Sequence, residues 1–445
     1  MRLNLLQKIA LEVIVGSLAV ATYFSLHEID VPTFEKASDI RQPLQYVIPD
    51  TVSHSDRLPL LTTAVGKLLR KQHLSAGAQV AVSAGGRVIY AQSFGYADLQ
   101  DSTPMSNQNI MRVASVSKLL TAVGIMKLVD DGQLVLSQKV FGPTGILNDE
   151  IYANVRDKRM LNITIENLLN HSGGWTARYG DPMFMHTKIA QITGWQLPIS
   201  VENIIRFMQT RHMHFAPGSA SVYCNFGYAI LGEVIAKTTR LPYEDYMRSQ
   251  VFAPLGIADA RIGQSHKTDA LPNEVCYYEP DTSYRVPDYL FPDSLSRRSY
   301  GGTDIHTLGS AGGWVLSATD LLKLLLTIDN FESIPDQLTR NSIEQMTIPD
   351  SHYDPLGWRK VLQDTWFRTG TLAATSAIAC RRPDGICFCM LLNCANDLGP
   401  QLSVICANTI NDALNRTTSW PDDDLLSEDT AWQKYKTLHT DTRRR

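Results

Sequence analysis

The stretch VASVSKLLTA, residues 113–122, sets two serines just ahead of a lysine in an otherwise apolar run. A lysine is costly to bury, so one placed there needs a reason. On a helix, side chains three residues apart share a face while adjacent ones diverge. Lys118 therefore reaches the hydroxyl of Ser115 and turns away from Ser117. Ser115 is the candidate nucleophile. A helix starting near Ser115 would direct its first-turn N–H groups and positive dipole end at an alkoxide formed there. A desolvated Lys118, its pKa lowered by burial or by neighbouring positive charge, could take the serine proton. Alone, the same spacing also describes a serine N-cap followed by a snorkelling lysine on an amphipathic helix.

Other motifs decide between these readings. Tyr223-Cys224-Asn225 lies in GSASVYCNFGYAILGEVI, and Arg368-Thr369-Gly370, followed by Thr371, lies in a strand-like run. TIENLLNHSGGW at 164–175, FAPLGI at 252–257 and SAGGWVLSATDL at 310–321 complete an ordered set. Together these segments resemble the serine β-lactamase and penicillin-binding-protein superfamily, in its class C-related branch, over roughly residues 57–415. That branch includes D-aminopeptidases, DD-carboxypeptidases and esterases.

The resemblance implies catalytic roles for Ser115, Lys118 and Tyr223, with oxyanion donors at the N–H groups of Ser115 and Thr371. A phenol near pKa ~10 is a weak base in water, but its phenolate is favoured beside Lys118, so the cluster could pass a proton from nucleophile to leaving group. Asn225 would orient Lys118 and the substrate amide. Thr369 and Gly370 would line the substrate site, the glycine letting a substrate backbone lie close to the strand. Arg368 departs from the pattern, which carries Lys or His there. Arginine stays charged and exchanges protons poorly, but it grips carboxylates in a bidentate fork. Arg368 is read as a substrate-carboxylate or electrostatic residue, a departure that bears on β-lactam turnover and not on acyl-enzyme chemistry.

The histidines offer a rival chemistry. His212 and His214 have the His-x-His spacing of metallo-hydrolases, but no aspartate follows where such sites need one. Neither a metal nor an organic cofactor is expected. His171 reads as a turn-stabilising residue near the rim of the site.

The elements that must position these groups follow from periodicity. Leu58, Leu61, Val65, Leu68 and Leu69 have helical spacing, and strand-like runs follow at 79–83 and 87–94. Strand character returns at 365–370, 373–381 and 386–393, before an amphipathic helix at 402–414. The fold class is α/β (α+β): an antiparallel sheet flanked by helices with an inserted all-helical domain, as in the β-lactamase/transpeptidase fold. Residues 56–141 and 305–416 form the sheet domain, 142–304 the helical insertion and 417–445 a polar C-terminal tail. Arg2 and Lys8, the apolar run Val13–Ala21 and the small-x-small triplet Ala19-Val20-Ala21 point to a signal peptide over 1–21. A retained membrane anchor is the alternative, and 22–55 reads as a linker. Export to the periplasm or medium is the expected fate.

The 445 residues carry 44% hydrophobic and 19% charged side chains, enough for a sizeable core. A net charge of −4 leaves no electrostatic footprint for nucleic acid. Seven cysteines, all beyond residue 220, do not form a disulfide framework in a chain this long. Cys387 and Cys389 should share one strand face as buried small hydrophobes. The expected activity is acylation of Ser115 and hydrolysis of a small-molecule or peptide amide or ester, with or without a free carboxylate. A penicillin- or peptidoglycan-binding protein with little turnover is the alternative. The acyl donor, among β-lactam, D-amino-acid peptide and ester, and the oligomeric state are left open by the sequence.

Overall fold

Residues 57–348 and 352–442 are described by the computed structural model; the expected signal peptide or anchor and the linker lie outside them. The apolar stripe after Leu58 forms α1 (Pro59–Lys71), with proline at the start, where its missing N–H costs nothing. The two runs that follow pair as β1 (Gly77–Ala84) and β2 (Arg87–Asp98), with a short β3 (Thr103–Pro104) beyond them. The C-terminal strands are β4 (Lys360–Leu362), β5 (Thr365–Leu372), β6 (Thr375–Arg381) and β7 (Ile386–Leu392). They join the N-terminal ones in a single antiparallel sheet of order β3-β2-β1-β7-β6-β5-β4. Val80 lies opposite Met390 at the seam between the two chain ends, and Gly370 lies opposite Ala377.

Both faces of this sheet are covered. Phe388, Met390 and Leu392 pack with Leu61, Val65 and Leu68 of α1 and with Leu402, Cys406 and Ile410 of α5 (Pro400–Asn415). Cys387, Cys389 and Leu391 alternate to the other face, where they meet the core containing α2 (Ser117–Asp130) and α4 (Ala318–Leu325). Ser317 caps α4 by accepting from the Asp320 N–H at 3.1 Å, as the Ser-Ala-Thr-Asp pattern leads one to expect. All seven cysteines are free thiols.

Two sequence-based boundaries need correction. The 142–304 region is not all-helical: besides α3 (Asn225–Thr239) and shorter helices it contains the strand Arg261–Ile262 and a small hairpin, Val286–Pro287 with Leu295–Ser296. Arg261–Ile262 pairs with Trp314–Leu316, which also pairs with Met111–Arg112, so a three-stranded sheet ties the insertion to its host. Two-residue strands are too short to register as a period-2 pattern. One apolar cluster runs from Leu119 and Met126 through Ile204 and Ile230 to Ala377, so the two regions share a core.

Nor is the C-terminal segment a polar tail. Thr430–Thr442 forms α6, whose Trp432 is 0% exposed and stacks on Tyr435 at 5.8 Å. The Tyr435 hydroxyl donates to the Pro335 carbonyl at 2.8 Å, and Asp429 just ahead of α6 pairs with the nearly buried Lys323 at 2.6 Å. The average polarity of the segment hides two aromatics three residues apart on one helix face. Trp432→Ala should therefore lower folding stability by about 3–5 kcal/mol, measured by urea denaturation; a change within ~0.5 kcal/mol would mean that α6 does not dock.

Candidate active site

Three distant pieces of chain meet at Ser115. The first is the turn Ala114–Val116, a 3₁₀ segment that leads directly into α2. Ala114, just before the serine, has φ +47°, a left-handed conformation that costs a residue with a Cβ about 1 kcal/mol or more. Ser115 is half-exposed, whereas Ser117 is fully buried and accepts from the Trp314 N–H at 3.2 Å. Of the two serines, only Ser115 is placed to react.

Lys118 is 0% exposed. Its Nζ donates to Ser115 Oγ at 3.3 Å, to Asn225 Oδ1 at 2.7 Å and to the carbonyl of Ala311. Asn225 opens α3, the second piece, and Tyr223 lies two residues before it. The Tyr223 hydroxyl donates to Ser115 Oγ at 2.7 Å, and Lys118 Nζ lies 5.0 Å from the centre of its ring. The motif residues Ser115, Lys118, Tyr223 and Asn225 thus form one contiguous polar cluster.

Strand β5 is the third piece. A Cβ on Gly370 would lie 2.2 Å from the Val113 carbonyl oxygen and 3.0 Å from the Ser115 nitrogen, so only glycine permits this approach of strand to turn. The Phe367 carbonyl accepts from the Arg359 N–H at 2.9 Å on the β4 side of the strand. Alternation along an antiparallel strand carries the backbone groups of Thr369 and Thr371 to that same edge. β4 covers it only at Thr365–Phe367, so the N–H of Thr371 lies on an edge without a β4 partner. Side chains alternate too. Arg368 and Gly370 meet the Ser115 turn, whereas Thr369 and Thr371, opposite Ile378 and Ser376, are directed to the α5 face. Thr369 is therefore not brought to the site through its side chain.

The expectation that Arg368 reads a substrate carboxylate is also corrected. Its side chain is 1% exposed, and the guanidinium donates through Nε to the Ser115 carbonyl at 2.8 Å. Further donations reach the Trp358 carbonyl at 3.3 Å and the Tyr223 hydroxyl at 3.4 Å. Three donations to protein acceptors and near-complete burial hold the guanidinium against the Ser115 turn and away from solvent. Its positive charge lies beside Ser115 and Tyr223.

That charge acts on both Lys118 and Tyr223. Burial pushes the Lys118 ammonium below its ordinary pKa; Tyr223 opposes this, and Arg368 adds to it. For Tyr223 burial works upward, but Lys118 and Arg368 outweigh it and hold the phenol below its ordinary value.

His171, at φ +61°, accepts from the Cys224 N–H through Nδ1 at 3.4 Å, and its carbonyl accepts from the Val222 N–H at 2.9 Å. It fastens the Tyr223 loop, in line with the turn-stabilising role. Burial first, then the charges of Arg368 and Lys118, depress its pKa far below the usual value, so the ring is neutral. His214 accepts from the Thr176 N–H through Nδ1 at 2.9 Å, while His212 lies 3.7 Å from Asp157, so these two rings serve separate local contacts. An open cavity of about 640 Å³ is lined by Thr176, Arg178, Tyr179, His214, Phe215 and Val222, the last of which precedes Tyr223 in the chain.

Two participants were not read from the sequence. The Ala311 carbonyl is a backbone group and carries no residue-type signal. Asp181 accepts from both the backbone N–H and the side-chain amide of Asn225, at 3.1 and 2.9 Å. An aspartate in an irregular loop between short turns has no periodic signal to separate it from a capping residue.

A helix-flanked antiparallel sheet with a serine, lysine and tyrosine at its edge defines the class of protein. The Beta-lactamase family model matches residues 63–402, and the chain belongs to that family. A penicillin-binding protein of Bacillus subtilis (strain 168) is 27% identical over 236 residues, 52% of this chain and 48% of the relative. A D-aminopeptidase of Brucella ovis is 25% identical over 327 residues, 73% of this chain and 57% of the relative. The chain thus spans about half the length of these curated relatives. Among solved structures, a D-amino acid amidase from Ochrobactrum anthropi SV3 shares the fold at TM-score 0.60 and 21% identity, over 81% of this chain and 99% of that one.

The closeness of β5 to the turn yields a direct expectation. Gly370→Ala must force strand and turn apart, and a displacement of about 1 Å at a reacting group costs on the order of 10²-fold in rate. The labelling rate of Ser115 by a fluorophosphonate should fall accordingly; an unchanged rate would show that this approach is unimportant.

Proposed function

We propose that the protein is a serine hydrolase that forms an acyl-enzyme on Ser115 and hydrolyses an amide or ester. The observation that carries this reading is the placement of Ser115 Oγ 2.7 Å from the Tyr223 hydroxyl and 3.3 Å from Lys118 Nζ, within one cluster that also holds the lysine. The relative named as a D-aminopeptidase supports an amide of a D-amino acid as the acyl donor.

The chemistry follows from the pair Lys118–Tyr223 having lost one proton. Ser115 Oγ attacks the carbonyl carbon, and its proton passes to the Tyr223 oxygen while Lys118 keeps its charge. The oxyanion that forms is taken by the N–H groups of Ser115 and Thr371. Tyr223 then returns the proton to the departing amine or alcohol as the carbon–leaving-group bond breaks. Water attacks the acyl carbon in the second half, giving one proton to Tyr223, which hands it back to Ser115 as the ester bond breaks. In this scheme Arg368 holds the Ser115 carbonyl and supplies fixed positive charge that favours the phenolate.

Mass-spectrometric mapping after fluorophosphonate treatment should find a single adduct on Ser115, absent from Ser115→Ala; an adduct elsewhere, or none on Ser115, overturns the reading. Lys118→Ala and Tyr223→Phe should each lower the acylation rate by ~10²-fold or more with little change in KM. A change confined to KM would remove that residue from the proton path.

Arg368→Gln removes a positive charge that lowers both Lys118 and Tyr223. The pair then releases its proton at higher pH, so the whole pH–rate profile should move upward, while Arg368→Lys should hold it nearer the wild-type position. The ratio of kcat/KM for a carboxylate substrate and its neutral amide should be the same in Arg368→Gln as in wild type. A profile that stays in place would refute the electrostatic role, and a changed ratio would restore the carboxylate one.

A further inference from the structure

We propose that Asp181 is a positioning residue for the Ser115 site, orienting the Asn225 amide towards Lys118 and setting the charge balance around the buried ammonium. The inference rests on the acyl-enzyme reading above and deepens it. Asp181 does not touch Ser115 or a reacting atom; it acts through Asn225.

The geometry is that of a clamped carboxylate. Asp181 precedes the short turn Pro182–Phe184 and caps it, its Oδ1 accepting from the Met183 N–H at 3.0 Å. Oδ2 is thereby aimed at the start of α3, where it accepts from the Asn225 N–H at 3.1 Å and from Asn225 Nδ2 at 2.9 Å. An asparagine amide has two ends of nearly equal size, one donating and one accepting. With Nδ2 committed to the carboxylate, Oδ1 is the end left for Lys118, which donates to it at 2.7 Å. The reversed amide would set N–H groups against an ammonium and a carbonyl against a carboxylate, two repulsive contacts at once. Asp181 excludes that state, so Lys118 always finds an acceptor on this side and keeps its reach to Ser115.

Charge gives Asp181 a second effect. The titratable groups around the Lys118–Tyr223 pair include Arg368 and Arg359 from the sheet side, His171 and Cys224 from the loop side, and Tyr228 from α3. All five are cationic or neutral, and Asp354 pairs with Arg359 at 3.2 Å. Asp181 acts on Lys118 from the Asn225 side, favouring the protonated ammonium against burial and against Arg368. Removing its charge makes the pair release protons more readily, so both limbs of the pH–rate profile move to lower pH, opposite to the shift from Arg368→Gln. The opposition in sign separates an electrostatic role from general damage to the site.

Asp181→Asn keeps an oxygen that can accept from Asn225 Nδ2 but loses the charge; Asp181→Ala loses both. The full-length protein and each variant would be followed by the second-order rate of Ser115 labelling with a fluorophosphonate from acid to alkaline pH, by kcat and KM on a D-amino-acid p-nitroanilide and a p-nitrophenyl ester, and by thermal melting. Asp181→Ala should lower the labelling rate and kcat by about tenfold or more while KM changes by less than about threefold. Asp181→Asn should recover much of that rate at its own optimum, with the optimum displaced to lower pH. The proposal is overturned if both variants keep the wild-type rate and profile, or if both lose rate in step with melting temperature and the profile stays in place. Ser115→Ala, run alongside, separates the two layers: persistent labelling there refutes the acyl-enzyme reading, whereas loss of labelling there with unaffected Asp181 variants refutes the positioning role alone.

Discussion

The burial of one ammonium group is the constraint on which this structure turns. Lys118 has no exposed surface, and a bare charge in such a place would be lost to its neutral form or would unfold the helix that carries it. It is held by neutral oxygens: the Ser115 hydroxyl, the Asn225 amide oxygen and the Ala311 carbonyl. Those acceptors belong to three segments that the chain brings together only when the sheet domain and the insertion are both folded. Satisfying the lysine and assembling the site are therefore the same event.

The consequences spread outward from there. α2 must be buried almost all round, and its neighbours Leu119, Leu120, Val123 and Met126 supply the apolar surface that allows it. α3 must present its first residue to Lys118, which the Tyr223 loop arranges through the His171 contacts. β5 must pass against the turn before α2, which glycine at 370 permits. Each requirement adds a constraint on backbone position, and together they leave the Ser115 hydroxyl with little freedom before any substrate arrives. Preorganisation of this kind is where an acyl-transfer site gains most of its rate.

Neutral acceptors also leave the pair tunable. A direct carboxylate partner would lock Lys118 in its charged form. Here Arg368, two contacts from the lysine through Tyr223, pulls both groups towards deprotonation, and Asp181, two contacts away through Asn225, pulls the lysine back. The replacement of the family's lysine or histidine by arginine at 368 fits this scheme better than it fits ligand binding, because a guanidinium stays charged when buried.

Much of this was legible in the sequence, and the reason is local. Ser115 and Lys118 are related by helical spacing, Leu61, Val65 and Leu68 by the same period, and Cys387 and Cys389 by the strand period, so each relation is set by backbone geometry within a few residues. The motifs around Tyr223 and Arg368 then marked which segments must converge. What depended on packing could not be read this way. Whether Arg368 faces a ligand or the Ser115 carbonyl, whether Trp432 is a tail residue or a core residue, and whether Asp181 only caps its own turn or also meets Asn225 are all settled by neighbours far away in the chain. The two-residue strands that join the insertion to the sheet escape notice for the same reason. Types and short spacings determined the chemistry this protein carries; only the tertiary structure decided which polar groups share the buried lysine, because hydrogen-bond partners in a low-dielectric interior are chosen by distance in space and not along the chain.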